Sequence, residues 1–380
     1  MGKLEQKIKV GITGQAGFIG SHLYNYLGTK ENIELIDFER SYFEDKSKLS
    51  NFVSQCDTIL HIAAMNRHED QQVIYNTNVN LVNQLIEACQ DTNSTPKIIF
   101  SSSSQEEKDN LYGKSKRDGR EALEQWAKNN NSQVASLIIP NVFGPFGKPF
   151  YNSFIATFSH QIINGETPNI INDGEVNLIY INQLSEVFYK HIISNQDTPA
   201  LKYTVPHTAT KKVSEILNLL NHFNKEYVQE GKVPNVPINS FEINLFNTFT
   251  SFIPLQSYFP RKFTKHEDNR GAFVEIMRAG VSGQSSFSTT VPGITRGNHY
   301  HTRKIERFAV IQGKARIELR KINTDKVYSF DLDGKHPAYV DMPIWYTHNI
   351  KNIGDTELIT LFWINEPYNP EDADTYFVEV

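Results

Sequence analysis

"VGITGQAGFIGSHL", residues 10–23, decides how the first half of the chain folds. It passes from a short β-branched segment through a glycine turn into an amphipathic helical pattern. Thr13 stands directly before the triplet Gly14, Gly17 and Gly20. Glycines at this spacing let the backbone approach a diphosphate, whose charge then rests at the positive N-terminal end of the helix. Three glycines in a turn are often no more than a turn. The order strand, loop, helix is what a dinucleotide loop requires, so the stretch predicts a bound nucleotide cofactor.

Reading outward, "IKVGIT", "IELIDF", "TILHIAA", "KIIFSSS" and "VASLIIP" are strand-like. Between them, residues 70–91 and 112–131 carry apolar residues at helical spacing. Alternating strands and helices predict an α/β unit, a parallel sheet covered on both faces. After about residue 246 the pattern changes. From 273 to 380 short strands such as "SSFSTTV", "ERFAVIQ", "ARIELRKI", "VYSFDL", "AYVDM" and "ELITLFWI" alternate with Gly, Pro and Asp turns, which predicts an all-β sandwich or barrel. The expected organisation is a nucleotide-binding domain over 1–245, a linker over 246–262 and a β domain over 263–380.

A chain of 380 residues is long for one core. The net charge of −5 argues against general nucleic-acid binding, which needs a basic face. No stretch is long and apolar enough to cross a membrane, and Cys56 and Cys89 form no disulfide framework. A cytoplasmic protein with no membrane partner is expected.

The second strand ends at Asp37, seventeen residues beyond Gly20, where an acidic side chain accepts from the adenosine ribose and favours NAD. Arg40 is placed to pair instead with the 2′-phosphate of NADP(H). The residues alone leave this choice open. In "YGKSK", Tyr112 and Lys116 share a helix face, and a cation beside a phenol lowers its pKa for proton transfer to a carbonyl. Tyr-x-x-x-Lys occurs five times in this chain. Only the pair at 112 follows a strand ending in serines, "FSSSSQ", which supply a further hydroxyl.

These segments, with "HIAAMNR" at 61–67 and "NVNLVNQLIEAC" at 78–89, resemble an extended short-chain dehydrogenase/reductase over residues 8–245. The resemblance implies a Rossmann-like fold, with Ser103 as catalytic serine beside Tyr112 and Lys116, and Ser104 as the alternative. It implies cofactor contacts at Thr13, Gly14, Gly17, Phe18, Ile19, Gly20, Asp37, Arg40 and Ala63, as well as at Tyr112 and Lys116. On the substrate side it implies Asn66, Arg67, Asn141 in "PNVFGP" and Asn152. The nine-residue step from Ser103 to Tyr112 is short for the family.

In "ITRGNHYHTRKIERFAVIQG", residues 294–313, two imidazoles and a carboxylate lie close together. On a strand His299 and His301 point to one face, Glu306 follows, and His348 in "PIWYTHNIKN" completes a set of three nitrogens and one oxygen. That set suits zinc, with iron, nickel or manganese as other divalent ions. The pattern resembles the two motifs of the cupin barrel over about 263–380. One departure stands out: Trp345 occupies the position, two residues after Pro343, where the motif carries glycine.

A metal-lined pocket stabilises the enolate left when a carbon beside a carbonyl loses its proton, and a nicotinamide reduces that carbonyl. Reduction first would abolish the acidity that epimerisation needs, so epimerisation must precede it. A 4-keto sugar on a nucleotide satisfies both sites. The chain resembles bifunctional capsular-polysaccharide enzymes that fuse such a reductase to a cupin, on "RGAFVEIMR", "GITRGNHYHTRK", "YTHNI" and "DTYFVEV". This implies C3 epimerisation of UDP-2-acetamido-2,6-dideoxy-4-hexulose. NADPH-dependent C4 reduction then gives UDP-2-acetamido-2,6-dideoxy-L-talose, a precursor of N-acetyl-L-fucosamine. It also implies a homodimer and tips the cofactor to NADP(H). Rival readings are a UDP-sugar 4-epimerase or dehydratase, and a reductase carrying a noncatalytic sugar-binding module. Lys304, Tyr346 and His266 are unranked candidates for the proton-abstracting base.

Overall fold

The structure, a computed structural model, describes residues 7–195, 198–268, 271–274, 283–366 and 369–380. It divides into two compact units, one of Met1–Thr157 with Asn172–Val213, the other of Phe158–Ile171 with Ser214–Val380. Among the described residues, no helix is long and apolar enough to cross a membrane.

Strands of the first unit are β1 (Ile8–Thr13), β2 (Ile33–Ile36), β3 (Thr58–His61), β4 (Lys97–Ser103), β5 (Val134–Ile139), β6 (Asn141–Phe143), β7 (Glu175–Tyr180), β8 (Ala200–Thr204) and β9 (Ala209–Lys212). They form a six-stranded parallel sheet in the order β2-β1-β3-β4-β5-β8, beside a three-stranded sheet β6-β7-β9. Val10, Ile12, Ile59, Leu60, Ile98 and Ile99 are fully buried, as a parallel sheet covered on both faces demands. The helices are α1 (Phe18–Gly28), α2 (Lys46–Gln55), α3 (Gln71–Asp91), α4 (Leu111–Asn130), α5 (Phe154–Ile163), of which residues from Phe158 on belong to the second unit, and α6 (Ile181–Ile193). Asp45, Asp70 and Asn110 each cap a helix start by accepting from backbone N–H groups, which fixes where α2, α3 and α4 begin. The chain leaves β1 towards β2 on one side and reaches β3 on the other. The crevice beyond the carboxyl ends of β1 and β3 is therefore the switch point where such sheets take ligands.

The second unit opens with helices α7 (Val213–Phe223), α8 (Phe241–Thr250) and α9 (Leu255–Tyr258). Its strands are β10 (Arg261–Lys262), β11 (Lys265–Asp268), β12 (Gly271–Val274), β13 (Gln284–Thr290), β14 (Thr295–Tyr300), β15 (Glu306–Gln312), β16 (Lys314–Lys321), β17 (Val327–Asp333), β18 (Ala338–Met342), β19 (Tyr346–Asn352), β20 (Leu358–Ile364) and β21 (Tyr376–Phe377). Two five-stranded antiparallel sheets run β10-β18-β15-β20-β13 and β17-β16-β19-β14-β21, with β11-β12 as a separate hairpin. The Phe308 ring of β15 meets the His348 ring of β19 edge-on at 5.8 Å, so the sheets face each other there. Among the described residues the strands form two sheets rather than one closed hydrogen-bonded ring.

The stretch 246–262, expected as a linker, is built into the second unit, and the division between units falls at 213/214. Leu245 and Phe249 of α8 are fully buried, and the Phe246 ring packs edge-on against Phe223 and Tyr227. A buried ion pair binds this helical layer to the sheet. Arg307 of β15 pairs with Asp341 of β18 at 2.7 Å, donates to the Gly231 carbonyl and lies 3.9 Å over the Tyr339 ring, while the Tyr227 hydroxyl donates to Asp341. The composition shift near 246 marks the passage from helices to strands, both of which pack in the same unit.

Candidate functional site

At the first turn of α1, Gly17 stands at the N-cap with no side chain over the helix end. The N–H groups of Phe18 and Ile19 belong to the first turn, where an α-helix has no internal acceptors and an anion is favoured. Gly20 is needed for close approach: a Cβ there would lie 2.1 Å from the Gly14 carbonyl oxygen. Thr13 is fully buried, and its hydroxyl meets His61 Nδ1 at 2.8 Å and the Ala63 N–H at 3.4 Å, which joins the ends of β1 and β3 under the loop. Burial, with Lys116 nearby, pushes His61 down to about 3, so the ring is neutral. Asp37 directly follows β2, and its carboxylate accepts from the Tyr24 hydroxyl at 2.8 Å. Arg40 is exposed at the start of the short helical turn Arg40–Glu44.

Ser103 ends β4 and caps the turn that follows by accepting from the Gln105 N–H at 3.2 Å. Tyr112 lies in the first turn of α4, near enough to the Ser103 side chain to be acted on by it, while Ser104 is exposed. The short step between strand and helix works because Gly113 has no side chain: a Cβ there would lie 1.9 Å from the Gln105 carbonyl oxygen. Lys116 is buried, donates to the Ser101 carbonyl at 2.8 Å, and sits 5.9 Å from the Tyr112 ring centre. The pKa shifts run opposite to a phenol activated by a cation. Burial first, then Tyr151, push Tyr112 up to about 12 against the pull of Ser103. Burial pushes Lys116 down to about 8 although Glu106 acts the other way. At neutral pH this is a protonated phenol beside an ammonium, the protonation state of a proton donor.

On the substrate side, the exposed Arg67 guanidinium donates to the carbonyls of Phe150 and Tyr151. That brings residues 66 and 67 to the loop carrying Asn152, and the same Tyr151 acts on Tyr112. Asn66 and Asn152 are exposed, and Asn141 is exposed at the start of β6 with its amide donating to the Asn177 carbonyl.

Two buried groups here escaped the sequence reading. Asn78 of α3 accepts from the Met65 N–H at 2.7 Å and donates to the Met65 carbonyl and to Ser115, clamping the loop next to Asn66. Its signal was an Asn in mid-helix between apolar positions. Glu106, inside the short turn, accepts from Ser102 and pairs with Arg120 at 3.0 Å, so a buried ion pair braces the segment that positions Ser103. Sequence offers no sign of that partner, fourteen residues on.

In the second unit, His299 Nε2, His301 Nε2 and His348 Nε2 lie 3.7, 3.3 and 2.8 Å from Glu306 Oε2. One ligand atom from each of the four falls within 4.8 Å of the others. His299 and His348 are directly paired across β14 and β19, and Glu306 comes from the opposite sheet. The expected same-face geometry of His299 and His301 is not how they converge. β14 shifts register between Gly297 and His299, Asn298 has φ +58°, and the strand ends at Tyr300, so His301 reaches the cluster from the loop beyond.

Despite their nearness, His301 Nε2, His348 Nε2 and Glu306 Oε2 are buried without hydrogen-bond partners. Burial disfavours the Glu306 carboxylate, but the three imidazoles around it hold its pKa well below the usual range. Lone pairs converging on one point from three nitrogens and one oxygen fit a divalent cation. Trp345 takes the left-handed conformation, φ +62°, that glycine would adopt freely. Its buried ring stacks on Tyr300, and its backbone N–H donates to the His301 carbonyl at 2.8 Å. The bulky residue thus supports the ligand loop from behind. Of the candidate bases, Lys304 is buried and donates to the Ala373 carbonyl at 2.7 Å, Tyr346 is pushed up to about 12 by burial, and the His266 side chain lies outside the described residues.

The sequence matches two protein families. One, described as "NAD dependent epimerase/dehydratase family", covers residues 10–199. The chain belongs to that family. The other, "Polysaccharide biosynthesis C-terminal domain", covers residues 266–376 and contains the whole four-residue cluster. The chain is also a homologue of UDP-2-acetamido-2,6-beta-L-arabino-hexul-4-ose reductase from Pseudomonas aeruginosa, 33% identical over 377 residues, covering 98% of this chain and 99% of the relative. The crystal structure of the capsular polysaccharide assembling protein CapF from Staphylococcus aureus is 31% identical, with a TM-score of 0.61 over 98% of this chain and 100% of that one. The spore coat polysaccharide biosynthesis protein SpsL of Bacillus subtilis is 27% identical over 124 residues, 30% of this chain and 82% of SpsL. The molecule is thus an epimerase/dehydratase-family enzyme carrying a polysaccharide-biosynthesis C-terminal domain.

Proposed function

We propose that this enzyme acts twice on one nucleotide-linked 4-keto sugar, UDP-2-acetamido-2,6-dideoxy-4-hexulose. The C-terminal domain, read as a cupin, inverts C3, and the N-terminal unit then reduces C4 with NADPH to the L-talo product for polysaccharide synthesis. What carries the reading is that one chain brings together two chemically different groups of side chains, Ser103–Tyr112–Lys116 and His299–His301–Glu306–His348. The full-length relationship to a UDP-4-ketosugar reductase supports the substrate class.

In the first unit, NADPH supplies the hydride when bound. The N–H groups of Phe18 and Ile19 would receive its diphosphate, and Arg40 would pair with the 2′-phosphate. Ser103 hydrogen-bonds the C4 oxygen, and Tyr112, protonated because burial pushes it up to about 12, donates the proton that oxygen takes up. Lys116 contributes a positive charge beside the phenol. In the second unit, His299, His301, Glu306 and His348 would hold a divalent cation, for which the donor set suits zinc, and that cation would supply positive charge for a developing enolate.

The test is incubation of the enzyme with the 4-keto sugar in D2O, with and without NADPH, read by NMR and mass spectrometry. Deuterium entering C3 without NADPH, followed by stoichiometric NADPH oxidation, is expected. Reduction without deuterium at C3 would leave the C-terminal domain a noncatalytic module. A redox-neutral product with no NADPH consumed would make the first unit a 4-epimerase or dehydratase.

A further inference from the structure

A histidine presents one ring nitrogen to a metal because something holds the other. For His348 the holder is local: Nδ1 lies 3.2 Å from the carbonyl of Tyr346 on its own strand. For His301 it is remote: Nδ1 meets the carbonyl of Asp374, 73 residues further along the chain. A ring nitrogen donating to a carbonyl carries the proton, so Nε2 keeps the lone pair and faces Glu306.

Asp374 can offer that carbonyl only because its surroundings impose an unusual backbone. Its φ is +45°, a left-handed state that costs a side-chain-bearing residue free energy unless contacts compensate. Those contacts come from the ligand loop itself. The Asp374 carboxylate, 5% exposed, accepts from the Thr302 hydroxyl at 2.6 Å, the Thr302 N–H at 3.1 Å and the Arg303 N–H at 3.0 Å. Around it, Lys304 donates to the Ala373 carbonyl, and Arg303 pairs with Asp372 at 2.7 Å. Beyond it, β21 lies against β14 with Phe377 opposite His299, and the Val378 N–H donates to the Asn298 carbonyl at 2.9 Å. Residues 372–378 therefore run along the segment that bears two of the four cluster residues.

We propose that Asp374, alone among the residues of this C-terminal strap, is a positioning residue of the metal centre that sets the tautomer and orientation of His301. The inference rests on the metal reading above and deepens it. Asp374 touches neither the cation nor substrate; it acts through the His301 ring.

The test compares full-length wild type with Asp374→Ala, Asp374→Asn and Asp372→Ala. Zinc affinity is measured by competition with a chromogenic chelator, and site geometry by the visible spectrum after cobalt(II) substitution. Asp374→Ala should weaken zinc binding about 10- to 100-fold, the usual effect of losing a ligand's outer partner, and alter the cobalt spectrum. Asp374→Asn keeps one acceptor oxygen for Thr302 but sets an NH2 against the Arg303 N–H, so it should restore part of the affinity. Asp372→Ala loosens the same strap without freeing the carbonyl and should bind zinc like wild type. If Asp374→Ala fails to fold, Thr302→Val removes the shortest contact to the carboxylate and should show the same loss in smaller measure. Wild-type affinity and spectrum in Asp374→Ala, or equal losses in the 374 and 372 variants, would reduce the strap to scaffolding and overturn the inference. A wild-type protein that binds neither zinc nor cobalt would overturn the metal reading, a failure seen before any variant is compared.

Discussion

Replacing Lys116 by methionine should stabilise the first unit while abolishing reduction. The ammonium is buried, with one hydrogen bond to the Ser101 carbonyl, and burial brings its pKa from 10.5 to about 8. At about 1.4 kcal/mol per pH unit, keeping it charged inside the fold at pH 7 costs about 3 kcal/mol. Methionine fills a similar volume against Phe100 without that cost and forfeits the hydrogen bond, worth about 1 kcal/mol. The variant should therefore be more stable at pH 7 by about 2 kcal/mol, or about 4–8 °C in melting temperature for a unit of this size.

The sign with pH follows from linkage. Between pH 8 and 10.5 the unfolded chain binds a proton that the folded one has released, so wild-type stability from this group rises through that window. The variant's advantage is full below pH 8, shrinks as pH rises, and has largely gone by pH 10. Urea titrations of the cofactor-free proteins at pH 7 and pH 10 measure both differences, and NADPH oxidation measures activity. A variant less stable than wild type at pH 7, or a gap that does not narrow by pH 10, would refute this account of Lys116.

Tyr112→Phe removes the donated proton and keeps the ring, so reduction should fall by about 10²- to 10⁴-fold while deuterium exchange at C3 persists; NMR of the C3 proton and NADPH absorbance separate the two. Arg40→Ala should weaken NADPH selectively and leave NADH binding nearly unchanged, and equal losses by fluorescence titration would make Arg40 a bystander. Glu306→Gln should lower metal content and C3 exchange together while the ketone of an already epimerised sugar is still reduced. Exchange at the normal rate in metal-free Glu306→Gln would show that the cation does not serve the chemistry.

The sequence alone determined what depends on neighbours along the chain. Gly20, a few residues from the turn it must clear, and Tyr112 with Lys116, one helical turn apart, are local geometry, so the tight glycine turn and the Tyr112–Lys116 juxtaposition were legible. Strand and helix periodicity likewise placed β1, β4, β15 and β18 at their observed bounds. Tertiary structure decided what depends on burial and distant partners. Lys116 was expected to lower the Tyr112 pKa, yet desolvation, which no motif encodes, drives both groups the other way. The stretch after 246 read as a linker because its packing partners, Phe223 and Tyr227, lie elsewhere in the chain. The four residues of the cluster could be named from spacing, but a register shift in β14 and the carbonyl of Asp374 aim His299 and His301 at Glu306. A hydrogen bond across 73 residues leaves no periodic trace, because its geometry exists only once the two segments have been folded together.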